Sequence, residues 1–480
     1  MGERQRRMGE APILPLILTF GVPAMISQFV QVSYSIIDSI FVGQARGELG
    51  LAALTVCFPA ILGTVAVAML AAVGASILFG IRLGQGRLRS CARIFGSTIT
   101  HAVITAIILG IFGYFGARWM VEVSGATDAI VADAAAYLRI YVGLFIVQSL
   151  GYTINAFITG CGHPLRATVT QVVAAVSNIV LDYIFVIRWD WGVEGAAWAT
   201  VLGWTLGVAT AAQFFFSRHV PFQLTLSSFR PSWFNLRKTM AYGLPGALMT
   251  CGAMLSLLIV TRVVTHFGGQ SWVGAEGGLA MYNVVRRGYE IPLIPGIGIA
   301  MGCSTLFSYN FGAGKFQRLR RIFWTCAATS IVILAVVWVP VLIFGREIMM
   351  LFGLPDNVTD YAGFLMRISV ILAPVVVFEI VAGTLFQGAG KYVQATFLNV
   401  MRSLVVTTVL AIIFPIWLAE PLGISPFTAI YVAEPVSDVL MLVVTLVLMV
   451  PFLARMRAVE RGEMTIEEAR LTPPADHSGV

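Results

Sequence analysis

Apolar residues run through this chain in long blocks separated by short polar breaks. Stretches of about 20 residues or more, long enough to cross ~30 Å of hydrocarbon, fall at 13–41, 52–80, 94–121, 133–159, 167–187 and 193–217. A second set follows at 240–266, 279–310, 321–345, 361–387, 395–417 and 425–454. A backbone in lipid must satisfy its own hydrogen bonds, so runs of this length are helices, and the ~10-residue alternation of barrel strands is absent. The pattern predicts an all-α integral membrane protein with twelve transmembrane helices. The first run is too long for a cleaved signal peptide and has no small-residue cleavage pattern.

The two sets are copies of one another. Gly84-Gln85-Gly86-Arg87 recurs as Gly312-Ala313-Gly314-Lys315, Gly125-Ala126-Thr127-Asp128 as Gly353-Leu354-Pro355-Asp356, and Arg139-Ile140 as Arg367-Ile368. Gly160, Gly162, Ala167 and Thr168 recur as Gly388, Gly390, Ala395 and Thr396, and Gly21-Val22-Pro23 recurs as Gly243-Leu244-Pro245. Six spans separate the copies, an even number, so both halves run the same way through the membrane, as in transporters built from parallel repeats. The expected organisation is an amino-terminal six-helix lobe over 1–217, a cytoplasmic linker over 218–238, a carboxy-terminal six-helix lobe over 239–455 and a charged cytoplasmic tail over 456–480. Two such lobes can rock about a central cavity, which is alternating access.

Composition narrows the class. Hydrophobic residues make up 58% and charged residues 11%, against ~25% charged in ordinary globular chains, which excludes a soluble enzyme and a nucleic-acid-binding protein. Most lysines and arginines collect at one end of the spans: Arg4, Arg6, Arg7, then Arg82, Arg87, Arg89, Arg93, Arg166, Arg218, Arg230, Arg237, Lys238, Lys315, Arg318, Arg320, Arg321, Lys391, Arg455, Arg457, Arg461 and Arg470. Only Arg46, Arg118, Arg188, Arg262 and Arg346 fall at the other end. Cytoplasmic loops hold the excess, so a multi-pass protein of the cell membrane with both termini cytoplasmic is expected, and the net charge of +7 needs no nucleic-acid partner. The six cysteines lie in or beside apolar runs without a CxxC pair and are read as reduced packing residues, none a metal ligand.

Charged side chains inside the bilayer are costly, about 2.5–3.5 kcal/mol for an aspartate at the centre of a span, so their presence marks ion pathways. Asp38 sits in the outer half of the first span and Asp182 in the fifth. Asn178 and Asp182 are i,i+4 and share a helix face, while Gln31, Tyr34 and Asp38 form a polar stripe. The two carboxyls can share one pocket and titrate as a pair. Their repeat equivalents are apolar: Val260 or Val263 for Asp38, Leu410 for Asp182. In the second lobe Glu290 stands i+4 from Arg286 as a structural pair, and Glu379 is either a second titrating site or the buried partner of Arg402. Arg139 and Arg367, being duplicated, read as scaffold charges. Prolines inside spans, Pro23 in the first, remove helix hydrogen bonds and allow bends.

The fragments Asp38-Ser39-Ile40-Phe41-Val42-Gly43, Ala52-Ala53-Leu54, Gly312-Ala313-Gly314-Lys315 and Phe386-Gln387-Gly388-Ala389-Gly390, in this order over about residues 12–454, resemble the multidrug and toxic compound extrusion (MATE) transporters. Asp38 with Asn178-x-x-x-Asp182 is similar to the pattern of the prokaryotic subgroup that includes archaeal and DinF-like members. The resemblance implies a cation site, for a proton or a sodium ion, at Asp38, Asn178, Asp182 and Thr200. It implies a cavity lined by Gln31, Tyr34, Tyr137 and Asn155, and a first-span bend at Pro23. Val375 stands where other subgroups carry an acid in the tenth span, and the seventh span has none. The expected function is secondary active efflux, exporting amphipathic and often cationic small molecules in exchange for protons or sodium. No cofactor and no catalytic residue are expected, and the partners are small molecules and membrane lipids around a monomer.

A lipid or lipid-linked-sugar flippase of related architecture is the alternative, since a large interface between lobes suits an amphipathic lipid equally well. A major facilitator transporter would also have two six-helix lobes, and Arg82–Arg89 is loosely similar to its basic loop, but the expected acid is missing. Aspartate pairs for magnesium-bound diphosphate chemistry, HExxH, nucleophile-elbow and GxxxxGK[ST] motifs, and filter-like loops are absent, so an intramembrane enzyme, an ATP-driven pump and a channel are disfavoured.

Overall fold

A computed structural model of the full chain describes residues 3–215, 220–350, 356–469 and 471. The repeat turn Gly353-Leu354-Pro355, the linker residue Arg218, the tail residue Arg470 and the Arg4 side chain lie outside the described residues. Eleven described helices are long and apolar enough to cross a membrane, or twelve when a bent pair is joined. The spans are Ile13–Gly47, Leu49–Gly84, Leu88–Val123, the pair Val131–Gly143 and Phe145–Gly160, Pro164–Arg188 and Gly192–Phe215. Trp233–Gly269, Gly274–Gly312, Phe316–Ile343, Val358–Gly388, Tyr392–Leu418 and Pro426–Glu460 follow. The described residues contain helices and turns without a strand.

Three features were not visible in the apolar pattern. The first two spans, Ile13–Gly47 and Leu49–Gly84, follow one another with no loop between them, the chain turning at a kink at Gly47, whose φ of 58° only glycine adopts cheaply. The fourth span is bent by 46° at Leu144. A short helix, Glu3–Glu10, precedes the first span and ties it to the other lobe. Asn310 Nδ2 donates to Met8 O at 3.2 Å, Lys315 Nζ to Gly9 O at 3.1 Å and Arg318 Nη2 to Ala11 O at 2.6 Å, while Met8 is buried in the core.

The repeat persists in the backbone. Gly86 and Gly314 have φ of 76° and 68°, and the turns after them close with the same bonds, Arg87 N to Arg82 O and Lys315 N to Asn310 O, both 3.0 Å. The arrangement is a helix C-terminal glycine turn, and it recurs in each lobe at Gly162 and Gly390, where His163 N donates to Ile158 O and Lys391 N to Phe386 O.

The lobes meet most tightly at this arginine-rich end. A Cβ on Gly84 would overlap Tyr309 O and one on Gly312 would overlap Ile81 O, so the second and eighth spans touch backbone to backbone. Gly74 and Gly243 do the same between the second and seventh spans, against Thr239 O and Leu70 O. Around this seam the largest core cluster joins residues of both lobes, among them Phe79, Ile81, Leu306, Phe307 and Phe386. Without a hydrophobic drive between helices in lipid, such close small-residue contact is what holds them together.

Gly84→Ala and Gly312→Ala therefore force the spans apart, which costs about 1–3 kcal/mol, whereas Gly63→Ala in the same second span faces open space and gains helix propensity. Thermal unfolding in detergent should show the first two melting lower and Gly63→Ala unchanged or higher. Equal melting temperatures for all three would contradict a tight seam.

Candidate functional site

The fifth and sixth spans pack closely because Gly203 and Gly207 of the sixth face Ala174 and Asn178 of the fifth; a Cβ on Gly203 would stand 2.7 Å from Ala174 O. This approach sets Asn178 beside Thr200, with Asn178 Nδ2 donating to Thr200 Oγ1 at 3.4 Å and Thr200 Oγ1 donating to Ala196 O at 3.0 Å. One turn on, Asp182 is 0% exposed, at the point where the fifth span changes to a π-helical turn, Tyr183–Arg188. Such turns recur at functional positions in helices.

Asp38 of the first span comes close enough to Asp182 for the two carboxyls to interact electrostatically. Asp38 is partly accessible, but its Oδ1 is covered and, with Asn178 Oδ1 and both Asp182 oxygens, has no hydrogen-bond partner among the described residues. Asn178 approaches Asp182 without hydrogen-bond geometry. The result is a group of inward-facing oxygens without donors, an arrangement that can hold a proton or a small hard cation with oxygen ligands. No group of three or more His, Cys, Asp or Glu side chains among the described residues converges as a metal cluster.

The residues expected around this group are distributed between two spaces. A small cavity of ≈ 20 Å³, room for one water-sized species, is lined by Gln31, Tyr34, Asn178, Thr200 and Trp204. Gln31, Ser27 and Gln171 also line a larger cavity of ≈ 220 Å³ between the lobes, together with Gln28, Tyr152, Asn155, Thr305, Thr384 and Gln387. Gln31 Nε2 donates to Tyr152 OH at 3.1 Å, which fixes the partition between the two spaces. Tyr137 is buried in the outer core of the first lobe, stacked on Tyr141 with ring centroids 5.8 Å apart, and faces Asp38 and Asp182 electrostatically.

Pro23 lies where the first span crosses the fifth. Thr168 Oγ1 donates to Pro23 O at 2.8 Å and shares a 3.0 Å contact with Ser27 Oγ. A change of bend at Pro23 has to break or carry these contacts.

The inter-lobe cavity is lined entirely by neutral side chains; amides, hydroxyls, methionines and Phe20 provide the surface, and the charges lie to the side of it. Gln28, Gln171, Tyr152 and Trp204 were not singled out from the sequence, and Thr168 was marked there only as a repeated position. A signal existed for two of them, because Gln171 stands i+7 from Asn178 and Gln28 i+3 from Gln31, each on the face already marked as polar.

The second lobe is more charged than the sequence reading allowed. Glu290 pairs with Arg286 at 2.9 Å, and Glu379, with a side chain 3% exposed, lies 3.4 Å from Arg402, the buried pairing that was one of its two expected roles. Two further acids, Glu434 and Asp438, line a second-lobe cavity from the twelfth span, so acids are not confined to the first lobe beyond these pairs. Their mark in the sequence was the interruption Glu434-Pro435-x-x-Asp438 in an otherwise apolar run.

With this geometry in place, the family profile described as MatE matches residues 23–184 and 245–413, one copy in each half. Multidrug export protein MepA of Staphylococcus saprophyticus is 21% identical over 394 residues, 82% of this chain and 86% of that protein. Probable multidrug resistance protein YoeA of Bacillus subtilis is 22% identical over 342 residues, covering 69% and 72%. Among solved structures, MATE in the bent conformation superposes with a TM-score of 0.87 at 20% identity, covering 96% of this chain and 100% of that one. A MOP superfamily transporter from Pyrococcus furiosus superposes with a TM-score of 0.86 at 21% identity, covering 95% and 99%. The profile spans most of the chain in two copies that coincide with the repeat, and the protein therefore belongs to the MatE family.

Proposed function

We propose that this protein is a secondary active exporter of amphipathic small molecules, driven by entry of a proton or a sodium ion from outside the cell. The observation that carries the reading is the neutral inter-lobe cavity separated by Gln31 and Tyr152 from covered carboxyl oxygens without partners. Relatives named as multidrug export proteins support the substrate class, and the arginine-rich end supports cytoplasmic termini.

Asp38, Asn178, Asp182 and Thr200 hold the coupling cation; Gln31 and Asn155 face the substrate space, Tyr34 lines the small cavity beside Asn178 and Thr200, and Tyr137 backs the two aspartates. An unpaired carboxylate here is expensive, so the ion-free and ion-bound forms favour different packings of the first span. That difference in affinity is what lets an ion shift a conformational equilibrium. The bend at Pro23, held by Thr168, is the place where the first span changes. The lobes over 1–217 and 239–455 then rock about the glycine seam. One charge moving down 100 mV supplies about 2.3 kcal/mol, enough for a roughly 50-fold gradient of a neutral substrate. The cavity's neutral lining implies selection by shape and apolar surface, with a positive charge on the substrate tolerated and not required.

In proteoliposomes with proton and sodium gradients imposed separately, one gradient should drive dye efflux, and Asp38→Asn and Asp182→Asn should bring it to near background. Efflux driven by ATP without gradients, or lipid flipping with no movement of dyes, would contradict the reading.

Stability separates the acids by role. Asp38→Asn and Asp182→Asn remove carboxyls that had no partner, so thermal unfolding should stay within about 1 kcal/mol of the parent or improve. Glu379→Gln leaves Arg402 short of its charge partner and should cost on the order of 2–3 kcal/mol. The opposite ranking in a detergent melt, with Glu379→Gln neutral and the aspartate variants unstable, would mark the aspartates as scaffold.

A further inference from the structure

The second lobe contains a closed charge inventory that does not balance. Its cavity of ≈ 210 Å³ lies among the seventh, eighth, eleventh and twelfth spans. The ionisable groups facing it are Tyr282, Arg286, Tyr289 and Glu290 of the eighth span, Arg402 of the eleventh, and Glu434 and Asp438 of the twelfth. Glu379 of the tenth reaches it through Arg402, and Tyr431 adds a hydroxyl near Glu434. Arg286 is taken by Glu290 and Arg402 by Glu379, one acid for each guanidinium. Asp438 faces Arg402 and Glu434 faces Arg286, but each guanidinium is already paired, so these two acids have no cation of their own among the described residues.

Each of the remaining acids has one covered oxygen without a hydrogen bond, and the Ser369 hydroxyl is the side-chain donor beside Glu434. Glu434 Oε2 and Asp438 Oδ2 are covered and have no partner among the described residues, and Asp438 is only 4% exposed. They are i,i+4 and share one face of the twelfth span. The hydroxyls of Ser437 and Thr407, 3.1 Å apart, line the same cavity and add neutral oxygens. Unsatisfied buried carboxylates at membrane depth are tolerated only when something neutralises them.

The position matches the first lobe by a route that residue-by-residue comparison of the repeats misses. Glu434 stands eight residues after Pro426, the first of its span, as Thr200 stands eight after Gly192. Both lie about 12 Å along their helices. Val260, an equivalent of Asp38, lines this same cavity. The pocket is thus repeated while its acids have moved from the first and fifth helices of the lobe to the sixth.

We infer that Glu434 and Asp438, with Ser437 and Thr407, form a second binding site for a monovalent cation, a proton or a sodium ion, in the carboxy-terminal lobe. The volume holds roughly seven waters at ~30 Å³ each, which suits an ion with part of its hydration and is below the ~300–1,000 Å³ of pockets for drug-sized molecules. Four acids against two arginines exclude an anion as the natural occupant. The site goes beyond the transport reading, and its cation binding is measured without any exported compound, so failure of one leaves the other standing.

The test uses the full-length protein in nanodiscs with Asp38→Asn and Asp182→Asn in place to silence the first lobe. Two probes are applied: radioactive sodium at equilibrium, and proton uptake by difference titration through the neutral pH range. One of them should still register about one cation per protein, and adding Glu434→Gln and Asp438→Asn should remove it. Sodium binding identifies the ion as sodium, and proton uptake alone identifies it as a proton. Asp438→Glu, which keeps the charge, should retain binding, so loss in Asp438→Asn is not attributable to misfolding. Where the fourfold variant does not fold, Glu434→Gln alone in the parent protein should lower the total cation count by one. Equal uptake with and without the second-lobe substitutions in both arms would overturn the assignment, as would binding of radioactive chloride in place of either cation.

Discussion

The structure depends on how carboxyl groups are kept inside a hydrocarbon layer. Ordinary packing resolves the problem by pairing, and two acids of the second lobe do so: Glu379 lies 3.4 Å from Arg402 and Glu290 lies 2.9 Å from Arg286. Asp182, 0% exposed with both oxygens lacking partners, does not. An unpaired buried carboxylate costs several kcal/mol against a total stability that is itself small. The proposed exchange of a proton or sodium ion beside it accounts for its retention. The residues around it fit that purpose, since Asn178 and Thr200 satisfy each other and leave Asn178 Oδ1 directed inward.

The remaining architecture links that local requirement to the lobes. The first span carries Tyr34 and Gln31 to the small cavity beside Asn178 and Thr200, and Phe20, Ser27 and Gln28 to the inter-lobe cavity. Further along, Gly298 and Gly302 of the eighth span press on Met25 and Phe20 of the first, so one helix touches the ion pocket, the cavity and the opposite lobe. The Glu3–Glu10 helix and the Gly84–Gly312 contact close the arginine-rich end around it. A change in the first span therefore reaches the seam through direct contacts, which is the connection the proposed coupling needs.

Much of this was legible in the sequence because lipid imposes strict rules on length and polarity. Twelve apolar runs, the Gly-x-Gly turns at Gly86 and Gly314, and the i,i+4 pair Asn178 and Asp182 could all be read from spacing. The bend at Leu144 and the loop-free kink at Gly47 could not, because an apolar run reports immersion and says little about helix direction within it. Tyr137 was placed at a cavity wall by the family resemblance and is packed in the outer core of the first lobe. Glu434 and Asp438 were passed over because the repeat was searched at matching positions, and the second lobe supplies its acids from a different helix. Pairing was equally hidden, for no spacing rule connects Glu379 to Arg402 across two spans.

The central claim is that carboxyls without partners tie ion occupancy to the arrangement of the lobes. Spin labels at Arg89 and Gln317, exposed positions on opposite lobes at the arginine-rich end, would report their separation by pulsed electron resonance once the exposed Cys251 is replaced. In the parent protein the distance distribution should shift as proton or sodium activity is raised. With Asp38→Asn, Asp182→Asn, Glu434→Gln and Asp438→Asn combined, and folding verified by thermal melt, it should no longer respond to either ion. A fourfold variant whose distances still shift with the ions as the parent's do would contradict the claim.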